Sequence, residues 1–145
     1  MNYSIGQLLK AKGKDIWSIN PQATAYEALQ LMSEKNVGAL LVIDKGKLVG
    51  LFSERDYARK VILKGKSSKG TSVNELMSIG LFTIEPKNTI IECMELMTVK
   101  HIRHVPVMEN EKLIGIVTIG DIVNEIILNQ DFIIKNLEQY ISIGY

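Results

Sequence analysis

The chain contains one pattern twice, and this repeat constrains its fold more than any other feature of the sequence. Residues 16–57 align without a gap onto residues 81–122 at a constant offset of 65, and twelve of the 42 aligned pairs are identical. The identical pairs include Pro21/Pro86, Thr24/Thr89, Glu27/Glu92, Gly50/Gly115 and Asp56/Asp121. Each copy must therefore form the same small unit and then bury what that unit leaves exposed.

Within each copy the hydrophobic pattern changes its period in a fixed order. A short extended segment ended by proline precedes a Thr-x-x-Glu capping box, at residues 24–27 and again at 89–92, and such a box marks a helix N-terminus. Two apolar runs of strand length follow, 39–43 and 48–52 in the first copy. A second helix then begins, so the predicted order is strand, helix, strand, strand, helix, twice.

One such copy is marginal alone, because its helices cover only one face of a three-stranded sheet. Packing the two copies sheet to sheet with pseudo-twofold symmetry covers the other face and leaves two equivalent clefts. We therefore predict an α/β (α+β) fold with a first domain over 1–66, a second over 67–130 and a C-terminal helical tail over 131–145. The similar segments 4–9 and 72–77 predict a short capped helix at the start of each copy.

The first long helix of each copy has a predicted buried face with residues spaced i, i+3, i+4, i+7. Its members are Ala25, Ala28, Leu29 and Met32 in the first copy, and Ile90, Cys93, Met94 and Met97 in the second. Cys93 is the single cysteine, so it forms no disulfide within the chain and is expected in the core. Pro106 has no N–H to donate to a strand ladder, so its strand is expected to be irregular or at an edge.

Composition and charge limit the classes of partner. The net charge is +1 without a long basic block, which gives no support for nucleic acid or an anionic membrane as a partner. No apolar stretch reaches transmembrane length, and the first residues lack the pattern of an export signal. The prediction is a cytoplasmic protein.

Two copies of one short motif carry a resemblance to a known family. Residues 50–56 and 115–121 both fit Gly-apolar-apolar-Ser/Thr-x-x-Asp, at the same offset as the capping boxes. In this signature the chain resembles the CBS (cystathionine-β-synthase) domain family, whose tandem pairs form a pseudo-symmetric module. The resemblance covers about residues 4–128.

The resemblance implies an adenosine-type ligand, such as AMP, ADP, ATP, NAD(H) or S-adenosylmethionine, and no required cofactor. It assigns the ribose hydroxyls to Asp121 and Asp56, and gives Thr118 and Ser53 an assisting role near ribose and phosphate. The helix N-terminus at each motif also suits an anion. The same Ser/Thr-x-x-Asp pattern fits a capping box, and both interpretations stay open. The mid-strand Gly115 and its counterpart Gly50 favour the close approach of a ligand or of backbone.

The resemblance further implies unequal clefts. The family's phosphate-binding basic position corresponds to Arg103 in the second copy but to Gly38 in the first, which has no side chain. We therefore predict the better site at Asp121, and a weak or empty one at Asp56. The further residues assigned to the Asp121 cleft are Ser18, Ile19 and Ala39, and those assigned to the Asp56 cleft are Thr83 and His104. His101 and His104 lack further ligands at metal-binding spacing, so no metal site is predicted.

Three functional hypotheses follow. The leading one is a regulatory module that senses an adenosine nucleotide and acts on an unidentified protein target as a homodimer, associated through helices. The apolar residues expected at that interface are Ile122, Val123, Ile126 and Ile127. The alternative is a constitutive interaction scaffold with vestigial clefts. An enzyme ranks third, because no recognisable catalytic set is present.

Overall fold

Capping boxes fix where the two longest helices begin. In the computed structural model, which describes residues 3–13, 15–129, 134 and 138, Thr24 and Thr89 each accept the backbone N–H of the glutamate three residues later, and that glutamate accepts the N–H of the threonine. Each box pairs two backbone groups that a helix end leaves unsatisfied. The helix starts predicted from both Thr-x-x-Glu patterns are confirmed.

The remaining elements follow the predicted order except that no named strand precedes the first long helix of the second copy, and the mixed α/β class is confirmed. The elements, in chain order, are α1 (Ile5–Lys12), β1 (Ser18–Ile19), α2 (Ala25–Lys35), β2 (Ala39–Asp44), β3 (Lys47–Ser53), α3 (Glu54–Tyr57), a π-helical turn (Ala58–Ile62), α4 (Val73–Leu76), α5 (Ile90–Lys100), β4 (His104–Glu109), β5 (Lys112–Thr118) and α6 (Ile119–Leu128).

The chain packs into two compact units whose limits differ from those of the sequence repeat. The Asp56 unit is Asp15–Phe82, and the Asp121 unit combines Met1–Lys14 with Thr83–Tyr145. The leader helix of each copy therefore belongs to the core of the other copy. The predicted division at residue 66 follows the repeat, whereas the packing boundary follows the exchanged leaders.

Equivalent backbone hydrogen bonds attach each leader to its unit. In the Asp121 unit, Ile5 N–H donates to the Asn88 carbonyl at 2.8 Å and Gly6 N–H to the Pro86 carbonyl at 2.9 Å. In the Asp56 unit the corresponding bonds run from Val73 to Ala23 at 2.8 Å and from Asn74 to Pro21 at 2.9 Å. These bonds pair leader amides that would otherwise lack partners at a helix N-terminus.

In the Asp56 unit a three-stranded sheet has the order β1–β2–β3. β1 is parallel to β2, and β2 is antiparallel to β3, with Ala39 opposite Ser53 at the end that leads into α3. Apolar side chains of α2, of the strands and of α4 form the core. Its buried members are Ala25, Ala28, Met32, Leu40, Val42, Phe52, Val61, Val73 and Leu76.

In the Asp121 unit the sheet has two named strands, β4 and β5, and the predicted third strand is reduced to a single parallel bridge between Ile84 and Val107. The proline explains the loss. Leu41 N–H donates to the Trp17 carbonyl at 3.1 Å in the other unit, but Pro106 occupies the corresponding position and has no N–H. The expectation that Pro106 lies in an edge or irregular strand is confirmed.

The core of the Asp121 unit takes in its exchanged leader helix. The buried members are Ile5, Leu8, Leu9, Ile84, Ile90, Cys93, Met97, Val105, Val107, Val117 and Ile122. Cys93 lies in the core as predicted, and burial raises the pKa of its thiol to about 11.

Three predicted features differ in detail from the structure or lie outside its described residues. Leu29 and Met94 are half-buried and lie at the border of the predicted helix faces. Ser72 precedes α4 without a side-chain capping bond, so the second leader helix is not capped as predicted. The predicted tail helix over 131–145 lies outside the described residues except Ile134 and Glu138, which are helical.

Candidate functional site

The signature motif of each copy forms a strand-to-helix turn. In the Asp121 unit Thr118 ends β5, lies opposite His104 in the sheet, and caps α6. The first N–H of the helix, from Ile119, donates to the Arg103 carbonyl at 2.9 Å. Pairing in the sheet thus brings residues 103 and 104 next to the start of the helix that holds Asp121.

Asp121 completes the capping box of this turn. Its Oδ2 accepts the Thr118 N–H at 2.8 Å, and its own N–H donates to Thr118 Oγ1 at 3.1 Å. A lysine of α1 also reaches this carboxylate, with Lys12 Nζ at 2.6 Å from Oδ2 and 2.9 Å from the Ile116 carbonyl. The Asp121 side chain remains 22% exposed.

Asp56 has the same backbone geometry, and its carboxylate has more contacts with protein groups than that of Asp121. Its Oδ2 accepts the N–H of Ser53 at 3.0 Å and the hydroxyl of Ser53 at 3.1 Å. Its Oδ1 lies 3.4 Å from the hydroxyl of Ser78 and 3.4 Å from Nζ of Lys60. The Asp56 side chain is 14% exposed. Both of its oxygens therefore already have partners from the protein.

The Asp121 unit has basic residues at positions 12, 103 and 104, whose counterparts in the other copy are not basic, whereas the basic neighbour of Asp56 is Lys60. Burial lowers the pKa of His104, the charges of Arg103 and Lys12 lower it further, and the negative charge of Asp121 acts in the opposite direction. Asp121, Arg103 and Lys12 thus all lie within electrostatic reach of His104. Arg103 is exposed, and within 3–13 and 15–129 no carboxylate pairs with its guanidinium. At the equivalent positions of the first copy stand Gly38 and Ala39.

Sequence reasoning assigned His104 to the Asp56 cleft. The structure places His104 in the Asp121 unit, opposite Thr118 in the sheet and under the influence of Asp121. Within its own unit His104 therefore lies beside the Asp121 turn, and its assignment to the Asp56 cleft, which would combine residues of both copies, stays a prediction.

The signature glycines have a different explanation from the one expected. A Cβ on Gly50 would lie 2.6 Å from Sδ of Met77 and 2.9 Å from the carbonyl oxygen of Ser78. A Cβ on Gly115 would lie 2.9 Å from Cδ2 of Leu9. The close approach is thus made by the leader segment of the same unit. The lack of a side chain at Gly115 admits Leu9, and the assignment of Gly115 to the ligand stays a prediction.

Sequence reasoning missed Lys12. The first copy pairs its aspartate with Lys60, four residues further along the same chain segment, but the equivalent residue in the second copy is Glu125. Glu125 is buried, and the pKa of Tyr3 is raised by burial and by the neighbouring Glu125. The cation therefore comes from the exchanged leader, 109 residues away in sequence, where no local pattern indicates it.

The remaining predicted residues are divided between the units. Ser18 and Ile19 form β1, and Ala39 is buried in β2, all in the Asp56 unit. Thr83 is exposed in the Asp121 unit. Their assignment to clefts that combine residues of both copies stays a prediction.

Two kinds of feature are absent from the described residues. No three or more His, Cys, Asp or Glu side chains in this part of the chain are placed to hold a metal ion. None of its helices is long and apolar enough to span a membrane.

Comparison with known proteins identifies the family. The model of the CBS domain matches residues 12–63 and 73–128, one match for each copy of the repeat. The chain belongs to the CBS domain family. A CBS domain-containing mitochondrial protein of Arabidopsis thaliana, CBSX3, is 38% identical over 98% of this chain and 73% of its own length. The CBS domain-containing protein YhcV of Bacillus subtilis is 34% identical over 72% of this chain and 74% of its own length.

Solved structures of CBS domain proteins agree with the fold. A CBS domain protein from Burkholderia ambifaria is 44% identical, covers 88% of this chain and 96% of its own, and superposes with a TM-score of 0.85. The chain is thus a CBS domain pair, a module that generally binds adenosine ligands and acts as a regulatory unit. The names of these three relatives describe no enzymatic activity.

Proposed function

We propose that this CBS domain pair is a non-enzymatic regulatory module that binds an adenosine nucleotide at Asp121. The carboxylate holds the ribose hydroxyls, and Arg103 pairs with phosphate. The observation that supports this most is the set of basic groups beside Asp121 at a helix N-terminus, where Arg103 has no carboxylate partner within the described residues. Arginine beside phosphate favours AMP or ATP over S-adenosylmethionine.

The Asp56 site is proposed to bind more weakly or to stay empty. Both oxygens of Asp56 already have protein partners, and no arginine stands where Arg103 stands in the other unit. A ligand there would have to replace several contacts and would gain no phosphate partner at position 38. The experiment that follows compares the two sites directly.

The test is calorimetric titration with AMP, ATP, NADH and S-adenosylmethionine on the unchanged protein and on two matched variants, Asp121→Asn and Asp56→Asn. Asparagine retains an acceptor for the capping N–H, so the helix start is largely preserved. We expect saturable binding of AMP or ATP that Asp121→Asn weakens by about tenfold or more, because hydrogen bonds to a charged group are lost. Asp56→Asn should change the affinity by less than about threefold.

A scaffold without a ligand is the second candidate, and one observation favours it. The contacts of Asp56 and Asp121 within their capping boxes already give both residues a structural role. This candidate predicts no heat with any of the four compounds from a folded protein. Binding that is equal in the unchanged protein and in Asp121→Asn would also count against the proposed site.

A homodimer is part of the proposal, with a revised interface. Ile122 is fully buried inside its own unit, so it cannot face a partner, whereas Val123 and Ile127 are 48% and 58% exposed. An exposed apolar strip of this kind on α6 suits burial against a second copy. Light scattering on the unchanged protein should give twice the mass of one chain, and Ile127→Glu should give the mass of a monomer. A monomer in the unchanged protein would remove this part of the proposal.

A further inference from the structure

Lys12 occupies the carboxylate that the proposed function assigns to ribose. It lies in the last turn of α1, whose residues Ile5, Leu8 and Leu9 are buried in the core. From this anchored helix its ammonium contacts both Asp121 and the Ile116 carbonyl. The ion pair thus joins a side chain on a buried helix to the capping box of the Asp121 unit.

The Oδ2 atom of Asp121 has no capacity left. A carboxylate oxygen has two lone-pair sites, and Oδ2 uses one for the Thr118 N–H at 2.8 Å and the other for Lys12 at 2.6 Å. A ribose diol held by both carboxylate oxygens must therefore displace one donor. The Thr118 N–H is fixed by the capping box. The Lys12 side chain ends a flexible stem and is 28% exposed, so Lys12 is the donor that leaves.

What the displaced ammonium meets depends on the ligand. A nucleoside that binds Asp121 separates Lys12 from this carboxylate. Because the nucleoside has no anionic group, the ammonium gains no new partner, and only the hydrogen bonds of the ribose are formed. A nucleotide has a phosphate that compensates the ammonium, in a region where Arg103 and Lys12 already act on His104 with the same sign of charge. The difference in binding free energy between the two ligands therefore depends on Lys12.

We propose that Lys12 is a specificity-determining residue: its ion pair with Asp121 makes the site reject uncharged nucleosides and accept phosphorylated nucleotides. This inference rests on the proposed function. It concerns the Asp121 site alone, because the position equivalent to Lys12 in the second leader is Gly80. At Asp56 the lysine contact is longer, 3.4 Å, and comes from the same chain segment as the aspartate.

The test measures the affinities of AMP and of adenosine by calorimetry, and their ratio, in the unchanged protein and in Lys12→Met. Removing the competing ammonium should strengthen adenosine binding, and removing the phosphate partner should weaken AMP binding. We expect the preference for AMP over adenosine to fall by about tenfold or more, which is the effect of one charged hydrogen-bonded pair. Lys10→Met is the matched control, because Lys10 carries the same charge in the same turn of α1 and is exposed. It should leave the ratio unchanged.

A second variant guards against a loss of folding. Lys12→Gln keeps a donor for the Ile116 carbonyl while removing the charge, and circular dichroism checks that both variants fold. An unchanged AMP-to-adenosine ratio in a folded Lys12 variant would overturn the role of Lys12 while leaving nucleotide binding intact. Absence of binding to the unchanged protein would overturn the proposed function itself, and the inference with it.

Discussion

The carboxylates of Asp56 and Asp121 stand at equivalent positions of the repeat, yet their neighbours differ. Around Asp56 the contacts come from Ser53, Ser78 and Lys60, and they involve both oxygens. Around Asp121 the capping N–H and Lys12 share a single oxygen. The backbone of the turn is the same in both units, with a first helical N–H bonded at 3.0 Å to the residue 38 carbonyl and at 2.9 Å to the residue 103 carbonyl.

The repeat has the same backbone bonds in both copies, whereas its charged residues differ. The capping boxes and the leader bonds occur twice because each unit needs them to end helices without unpaired groups. The basic residues at positions 12, 103 and 104 have no basic counterpart in the other copy. A difference that folding does not require is the place to look for a difference in binding.

Replacing the two signature glycines by alanine should give the largest and most unequal changes in the free energy of unfolding. Gly50→Ala should destabilise the protein by about 3 kcal/mol and Gly115→Ala by less than about 1 kcal/mol, measured by urea unfolding. The Cβ that Gly50→Ala introduces would meet the backbone carbonyl of Ser78, a residue held by hydrogen bonds with Leu51 in both directions. The nearest atoms to the Cβ that Gly115→Ala introduces are methyl groups at the end of the Leu9 side chain, which can shift more easily than a backbone carbonyl.

Gly120→Ala provides the control for this pair. Its Cβ would lie 3.6 Å from Oγ1 of Thr118, an ordinary contact, and alanine is the better helix former. We expect Gly120→Ala to be neutral or stabilising. Equal losses of stability in Gly50→Ala and Gly115→Ala would contradict this prediction, because they would show that Ser78 and Leu9 yield equally to an added Cβ.

The elements that sequence reasoning predicted correctly depend on neighbours within a few residues. The capping boxes at Thr24 and Thr89 involve partners three residues away, and the behaviour of the strand at Pro106 follows from one missing N–H. The exchange of leaders depends on bonds that connect distant parts of the chain, such as that from residue 5 to residue 88. The packing role of Gly115 and the ion pair of Lys12 both follow from that exchange. These two features could not be predicted from the sequence, because no short-range pattern indicates which copy a leader helix packs against.

Arg103 and Gly38 stand at equivalent positions, and this difference in charge predicts a difference in ligand preference. Arg103→Ala should weaken AMP binding by about tenfold, because a charge-assisted contact with phosphate is lost, and should leave adenosine binding nearly unchanged. Lys112→Ala removes the same charge from an exposed position on β5 and is the control. Calorimetric titration measures all three proteins. A similar loss for AMP and adenosine would mean that Arg103 supports the structure of the site rather than phosphate.

The last prediction concerns how the free energy of unfolding depends on pH. It distinguishes His104 from Ala39 at the equivalent position. Burial is the main cause that lowers the pKa of His104 below its ordinary value of 6.5, so the unfolded chain binds the proton more readily than the folded one. The free energy of unfolding should therefore fall as the pH decreases from 6.5 towards the lower pKa of the folded state, with a slope of less than one proton.

His104→Gln should flatten that slope relative to the unchanged protein. The measurement is urea unfolding of each protein at a series of pH values between about 5 and 8. A slope that survives in His104→Gln would assign the titration to another group. A slope that disappears would show that the burial of His104 costs stability at low pH, a cost that Ala39 at the equivalent position does not carry. If the Asp121 site binds phosphate as proposed, the bound phosphate would stabilise the protonated form of His104 and reduce this loss.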